Sequence, residues 1–398
     1  MLMIAPAHTG AEAAQASVIG KDSRAPLNGT SQPLARGIGF IWDSTAAYTC
    51  TAFCVSDSVI ATNAHCLLRR DRKMAQPDLS RIRFHMFDES LADHVDADAV
   101  SGADDDAAAF ARGNTRRMIR TGTDLQTGIE GQPSTGLYHG DFSTNRKSPR
   151  HFEDWALAKL HRPFCKGRTL ALKPIDSSEL RNTSNSANLY MIGYHGGRFE
   201  EGRLRSEECG LRQVRNRAFM RSQRRIFASA PNLLLHRCDM EQGASGSPIF
   251  LHTENGPAVV AMNSGTVSHL IYEIQPGNAR RKLVSRYDAN TAVLSRAFTE
   301  GLARFEQETL LSDPEAFRRL QVLLKAKTYY TGPVDALYGP GTRRAIFKYE
   351  DERGWAKLGV PTAELLADLE TSIGSSVQEE TGGMTSGATP PMFERESR

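Results

Sequence analysis

Three short segments carry residue types that perform nucleophilic chemistry when brought together. EQGASGSPIF sets Ser245 among small residues, VIATNAHCLL sets His65 behind an apolar run, and EDWALAKL sets Asp154 at the head of another. A serine hydroxyl attacks a carbonyl only when a base takes its proton, and that base needs an orienting carboxylate. Taken singly, each segment has a plainer meaning. His65 fits a surface or hydrogen-bonded structural histidine, Asp154 the first residue of a strand, and GASGSP a tight turn whose glycines tolerate positive φ. Taken together, His65, Asp154 and Ser245 follow in that order, 89 and 91 residues apart, and three matching contexts point to acyl transfer.

The elements that must position them read as strands. Short runs rich in Val, Ile, Phe and Thr occupy 34–42, 51–62, 155–160, 187–192, 247–251 and 259–262, broken by Gly, Pro, Asn and Ser. None has the length of a typical helix. Many short strands at intervals predict an all-β sandwich or barrel from Ser17 to about Leu302. Near Phe305 the period changes. Leu310, Phe317, Leu320, Leu323 and Leu324 recur at three- and four-residue spacing, the turn TGPVDALYGPGT follows, and Ala345, Ile346 and Tyr349 line one face of 343–353. Leu365, Leu366 and Leu369 form a third stripe, which predicts a compact helical module. After Ser372 the composition cannot bury a core and predicts disorder.

The whole chain sets bounds. Its 398 residues suit one large and one small domain, and a net charge of +3 is too mild to argue for nucleic acid. No apolar run approaches the roughly 20 residues that span a bilayer. Six cysteines, none in CxxC spacing, argue against zinc and for disulfides in an oxidising compartment. Ala14-Gln15-Ala16 has the small-x-small form of a signal-peptidase site, although no basic segment precedes it. The leader 1–16 is thus a signal-peptide remnant or a disordered extension; the cysteines favour export. The aspartate-rich stretch 88–111 reads as a solvated insertion, with a calcium loop as the alternative that lacks the regular ligand spacing. The arginine-rich stretch 198–225 reads as a solvated face, with a docking patch as its alternative.

At this point the chain resembles the chymotrypsin-like (trypsin-like) serine proteases. TNAHC looks like their histidine box, DWALAKL like their aspartate box and GASGSP like their serine box; SVIGKDSRAPL and CDMEQGASGSP look closest to the bacterial branch that includes the glutamyl endopeptidases. The resemblance implies a mainly β fold of two six-stranded antiparallel barrels, a serine endopeptidase needing no cofactor or metal, and a protein or peptide substrate. It makes His65 the general base, Asp154 its orienter, Ser245 the nucleophile, and the N–H groups of Gly243 and Ser245 the oxyanion hole. Ala244 departs from the aspartate that receives a new N-terminus in trypsin-type zymogens, so activity is expected without that switch. Asp239 stands where trypsin-like enzymes bind a basic side chain; a structural hydrogen-bond network is its other reading. Asn263, Ser264 and Gly265 match the strand that binds the substrate backbone, and Asn263 replaces the histidine of glutamate-specific enzymes. The alignment further implies disulfides Cys50–Cys66, Cys209–Cys238 and Cys54–Cys165.

The segment 314–369 resembles the small three-helix peptidoglycan-binding domain of bacterial exported enzymes, through Leu320-Gln321, Gly332-Pro333-Val334-Asp335, Tyr338-Gly339-Pro340 and Thr342-Arg343. Ala336 and Tyr349-Glu350 depart from its usual pattern. The expected organisation is a leader over 1–16, a protease domain over 17–302, a linker over 303–313, the helical domain over 314–370 and a disordered tail over 371–398. Export to the periplasm or outside the cell follows, with peptidoglycan as an anchoring partner. The competing reading is a catalytically silent protease-fold binding protein of the cell envelope; such relatives usually lose a triad residue, and here all three are present, as is Gly243.

Overall fold

The computed structural model describes residues 18, 21–27, 31–43, 48–68, 79, 82–87, 124–128, 136–143, 145, 148–183, 189–196, 203–206, 209–211, 226–274 and 281–382. The leader, the acidic stretch, most of the arginine-rich stretch and residues 383–398 lie outside them. Among the described residues no helix is long and apolar enough to cross a membrane.

The chain divides into two compact units, Met1–Gln307 with Ala356–Leu358, and Glu308–Trp355 with Gly359–Arg398. The first is mainly β. In chain order it contains β1 (Arg24–Pro26), α1 (Gln32–Ala35), β2 (Ile38–Asp43), β3 (Tyr48–Cys54), β4 (Val59–Thr62), α2 (Ala64–Leu67), β5 (Ile82–Phe87), β6 (Asp124–Gly128), β7 (Leu137–His139) and β8 (Ala156–Lys159). Then come α3 (Ser177–Thr183), β9 (Leu189–Tyr194), β10 (Arg203–Ser206), β11 (Leu233–His236), β12 (Pro248–Thr253), β13 (Gly256–Ile274), β14 (Arg281–Leu294), α4 (Arg296–Thr299) and α5 (Leu302–Gln307).

These strands form two antiparallel sheets, ordered β6-β5-β2-β3-β4-β8-β7 and β1-β10-β9-β12-β13-β14-β11. Each has seven described strands where the resemblance implies six. In the second sheet the extra strand is the N-terminal β1, which pairs with the edge strand β10 in the register Arg24↔Ser206. Other boundaries also move. The strand expected over 34–42 opens as a helical turn because Pro33 sits at its start. The strand expected over 51–62 is two, since Val55–Ser58 reverse the chain between β3 and β4. The strand expected over 259–262 is part of the 19-residue β13, whose later half is rich in β-forming Val, Ile and Tyr.

The first sheet encloses a core that includes Ile41, Ile60, Phe84, Ala156 and Leu160, and the second a core of Leu189, Met191, Ile249, Val260 and Leu294. The six cysteines join as Cys50–Cys66, Cys54–Cys165 and Cys209–Cys238, the pairs the alignment implies. Cys54–Cys165 closes a span of 111 residues and Cys50–Cys66 one of 16. Chain entropy scales with the closed loop, so removing the longer link should cost about 4–5 kcal/mol and the shorter about 3 kcal/mol. Urea unfolding of the two double-alanine variants, C54A/C165A and C50A/C66A, checks the order; a larger loss from the shorter link would refute the entropic account.

The described residues of the second unit hold three helices, α6 (Pro314–Ala326), α7 (Pro340–Glu352) and α8 (Ala363–Gly382). Asp313 caps α6 by accepting from the N–H groups of Glu315 and Ala316, and Phe317, Leu320, Leu324, Ile346, Tyr349, Leu365 and Leu369 form the shared core. The buried Gln321 holds the intervening turn: its Oε1 accepts from Asp335 N and Ala336 N, and its Nε2 donates to Asp335 Oδ1. Two boundaries differ from expectation. The chain expected as a linker over 303–313 is built in, because α5 buries Phe305 and Leu310 bridges to Thr362. The tail expected from residue 371 is helical as far as Gly382: α8 continues past Gly374 through a stretch that contains no proline.

Candidate active site

Register brings the histidine and aspartate segments together. β4 lies between β3 and β8, and Thr62 pairs with Ala156. In an antiparallel pair, residues just after Thr62 must face residues just before Ala156. His65, in α2, therefore meets Asp154. Its Nδ1 lies 2.6 Å from Asp154 Oδ2, and its backbone N–H donates to Oδ1 at 2.9 Å. Asn63 Nδ2 donates to the Asp154 carbonyl at 2.7 Å, which secures the same junction.

The second sheet supplies the serine. β12 pairs with β13 through Pro248↔Met262, so the residues before β12 run beside those after Met262. Gly246 N–H donates to Asn263 O, Asn263 N–H to Ser247 O, and Asn263 Nδ2 to Ala244 O. The next residue, Ser264, donates its hydroxyl to Asp154 Oδ2 at 2.7 Å and presents its carbonyl to Ser245 Oγ at 3.3 Å. One serine of β13 thus touches both partners of the site. Among the described residues no hydrogen bond joins Ser245 Oγ to His65.

Thr51 of β3 rivets the serine loop to the first sheet. Its N–H is shared between Gly243 O at 2.9 Å and Ser245 O at 2.8 Å, and its hydroxyl donates to Gly243 O. The N–H groups of Gly243 and Ser245 have no acceptor among the described residues. Two unpaired donors beside a serine form the kind of preorganised cradle that stabilises an oxyanion.

The charges agree with an Asp–His pair. Asp154 is 2% exposed. Burial would raise its carboxyl, but the charge and hydrogen bond of His65, the Ser264 hydroxyl and the His65 N–H together hold it below its ordinary value. It stays ionised at neutral pH. Elsewhere in the second sheet, burial pushes His236 down to about 4, so that ring is neutral and structural.

The side chains of Asp239, Asn263 and Ser264 each bond to neighbours within the protein. Asp239 is buried, and its Oδ2 accepts from both Ser23 N and Ser23 Oγ at 2.8 Å, while its own N–H donates to Ser206 Oγ. Its geometry matches the structural-network reading. The buried Asn263 side chain is spent on the Ala244 carbonyl, and the Ser264 hydroxyl on Asp154. Gly265 follows Ser264 at a register shift between β13 and β14. The role of Ser264 as a second donor to Asp154 escapes a reading of NSG alone, because only the β12–β13 register reveals it.

Backbone geometry makes one glycine here irreplaceable. Gly246 has φ +86°, and a Cβ there would lie 2.0 Å from Thr51 O and 2.6 Å from Thr62 Oγ1. Gly246→Ala should cost about 2–5 kcal/mol through overpacking and a left-handed backbone. Gly256→Ala, at φ +97° with nothing within 4 Å of the new Cβ, should cost only about 1–2 kcal/mol. Urea unfolding distinguishes them; equal losses would show that the Thr51 contact is immaterial.

A family profile described as a trypsin-like peptidase domain matches residues 50–262, more than half of the chain. The chain belongs to that family. Solved structures that match include a Glu endopeptidase in complex with MPD, at 13% identity and TM-score 0.40, covering 73% of this chain and 97% of that one. The secreted serine protease VesC from Vibrio cholerae matches at 12% identity and TM-score 0.44, covering 72% of this chain and 49% of its own. No curated protein matches this trypsin-like peptidase by sequence.

Proposed function

We propose that this trypsin-like peptidase is a serine endopeptidase that cleaves peptide bonds through an acyl-enzyme on Ser245. The observation that carries the reading is the hydrogen-bonded chain Ser264–Asp154–His65 beside a serine whose own N–H, like that of Gly243, has no acceptor among the described residues. In the proposed cycle, Ser245 Oγ turns from the Ser264 carbonyl toward His65 Nε2 and gives up its proton as it attacks the substrate carbonyl. Asp154 holds the imidazole by Nδ1 and stabilises the imidazolium, and the N–H groups of Gly243 and Ser245 receive the oxyanion. The imidazolium then protonates the leaving amine, and water repeats the sequence on the ester.

A fluorophosphonate probe should label the wild type covalently and leave Ser245→Ala unlabelled. Equal labelling of both would sink the assignment and favour the silent binding protein.

The second unit suits a localising role at a cell wall after export. A cleft of about 480 Å³ is lined by Tyr329, Tyr330, Pro333, Leu337, Tyr338 and Thr342, and Leu337 is 69% exposed at its rim. Tyrosine faces and small polar groups suit the faces and hydroxyls of sugars. The full chain carrying Ser245→Ala should be retained on purified peptidoglycan sacculi. Retention unchanged by Tyr329→Ala together with Leu337→Ser would remove the cleft from this role.

A further inference from the structure

The oxyanion cradle depends on one peptide unit, Gln242–Gly243. Its C=O accepts from Gly196 N–H at 2.6 Å, and in a trans peptide the N–H of Gly243 must then face the opposite way. The approach is close, since a Cβ on Gly196 would lie 2.9 Å from Gln242 O. Whatever holds Gly196 and Gln242 in register therefore aims the Gly243 N–H.

One buried cation reaches the residues before both. Arg24, in β1, has a side chain only 3% exposed. Its guanidinium meets Glu241, immediately before Gln242, through Nη2–Oε1 and Nη1–Oε2, each at 3.1 Å. Its Nη1 also lies 3.2 Å from Nδ1 of His195, immediately before Gly196. Asp22 adds to the shell, taking Nε at 2.9 Å and Nη2 at 2.7 Å. Strand pairing fixes the approach: β1 adds to β10, β10 to β9, and β9 ends at Tyr194 beside His195. Burial opposes the charge of Arg24, but the hydrogen bonds and charges of Asp22 and Glu241 keep the guanidinium protonated well above its ordinary range.

We propose that Arg24 is a positioning residue for the oxyanion cradle, a cation within the continuous chain that clamps His195 and Glu241 across the Gln242–Gly243 peptide. The inference rests on the serine-endopeptidase reading and deepens it. It also gives Ala244 a context: the loop before the serine takes its ionic anchor at Glu241, from a side chain, and needs no new terminus at Ala244.

Steady-state cleavage of a peptide substrate tests it. Arg24→Met keeps the stem and removes the forked donors; kcat should fall about ten- to a hundredfold, short of the 10²–10³-fold loss of an entire oxyanion donor, with KM within about twofold. Affinity for a peptidyl aldehyde, whose adduct places an oxyanion in the cradle, should fall with kcat. Arg24→Lys should restore part of the loss, and Glu241→Ala should reproduce it without adding to it in the double variant. If Arg24→Met does not fold, Glu241→Ala carries the test. A kcat within twofold of wild type in a folded variant, or a loss confined to KM, overturns the clamp alone. Absence of turnover in the wild type overturns the peptidase reading and the clamp with it.

Discussion

Replacing Ser245 by alanine should lower peptide turnover about 10⁶-fold, the scale on which loss of the nucleophile disables a serine protease. The fold should be nearly untouched, because the hydroxyl has one described hydrogen bond, to Ser264 O at 3.3 Å. An unchanged melting temperature combined with loss of turnover is the expected signature. Residual turnover of more than about a hundredth would mean that the hydrolysis observed does not pass through Ser245. His65→Ala in the Ser245→Ala background should cost almost nothing more, since residues that act as a unit are not additive.

The second large effect falls on Asp154. Both of its oxygens are engaged by donors: Oδ1 by the His65 N–H, Oδ2 by the Ser264 hydroxyl and His65 Nδ1. Asparagine can offer an acceptor at only one of those two positions. If its oxygen stays with the backbone N–H, its NH2 faces the ring, which must then present Nδ1 as an acceptor and carry its proton on Nε2. That tautomer cannot take the serine proton, and a loss of about 10⁴-fold in kcat is expected. A proton NMR signal for the Nδ1–H of His65 should be present in the wild type and absent from Asp154→Asn. Activity within tenfold of wild type would exclude Asp154 as the orienter. Because the carboxyl is held below its ordinary value, the stability it contributes is present at neutral pH and is lost as pH falls through the folded-state value.

The His65, Asp154 and Ser245 segments were legible because each is short, contiguous and set beside its own strand. The structure adds what register alone decides. Ser264 meets Asp154 across 110 positions of sequence, and Arg24 meets Glu241 across 217, so no local pattern joins them. Asp239 has the offset from Ser245 of a specificity residue, yet β1 brings Ser23 onto its carboxylate. The extent of β13 was hidden for another reason: beyond Gly265 its pairing is sustained by β14, whose sequence gave no separate apolar run. The helices of the second unit were easier, because their apolar stripes have the helical period and meet in one core.

Thr51 has a bearing on how the molecule would fail under heat. It belongs to the sheet that carries His65, yet its single amide proton is divided between the carbonyls of Gly243 and Ser245, in the turn that leads into β12 of the other. A small shear between the sheets would stretch that shared bond before either apolar core opened. Activity is thus a strain gauge for the seam, and it should fade on warming at temperatures where the sheets themselves are still intact.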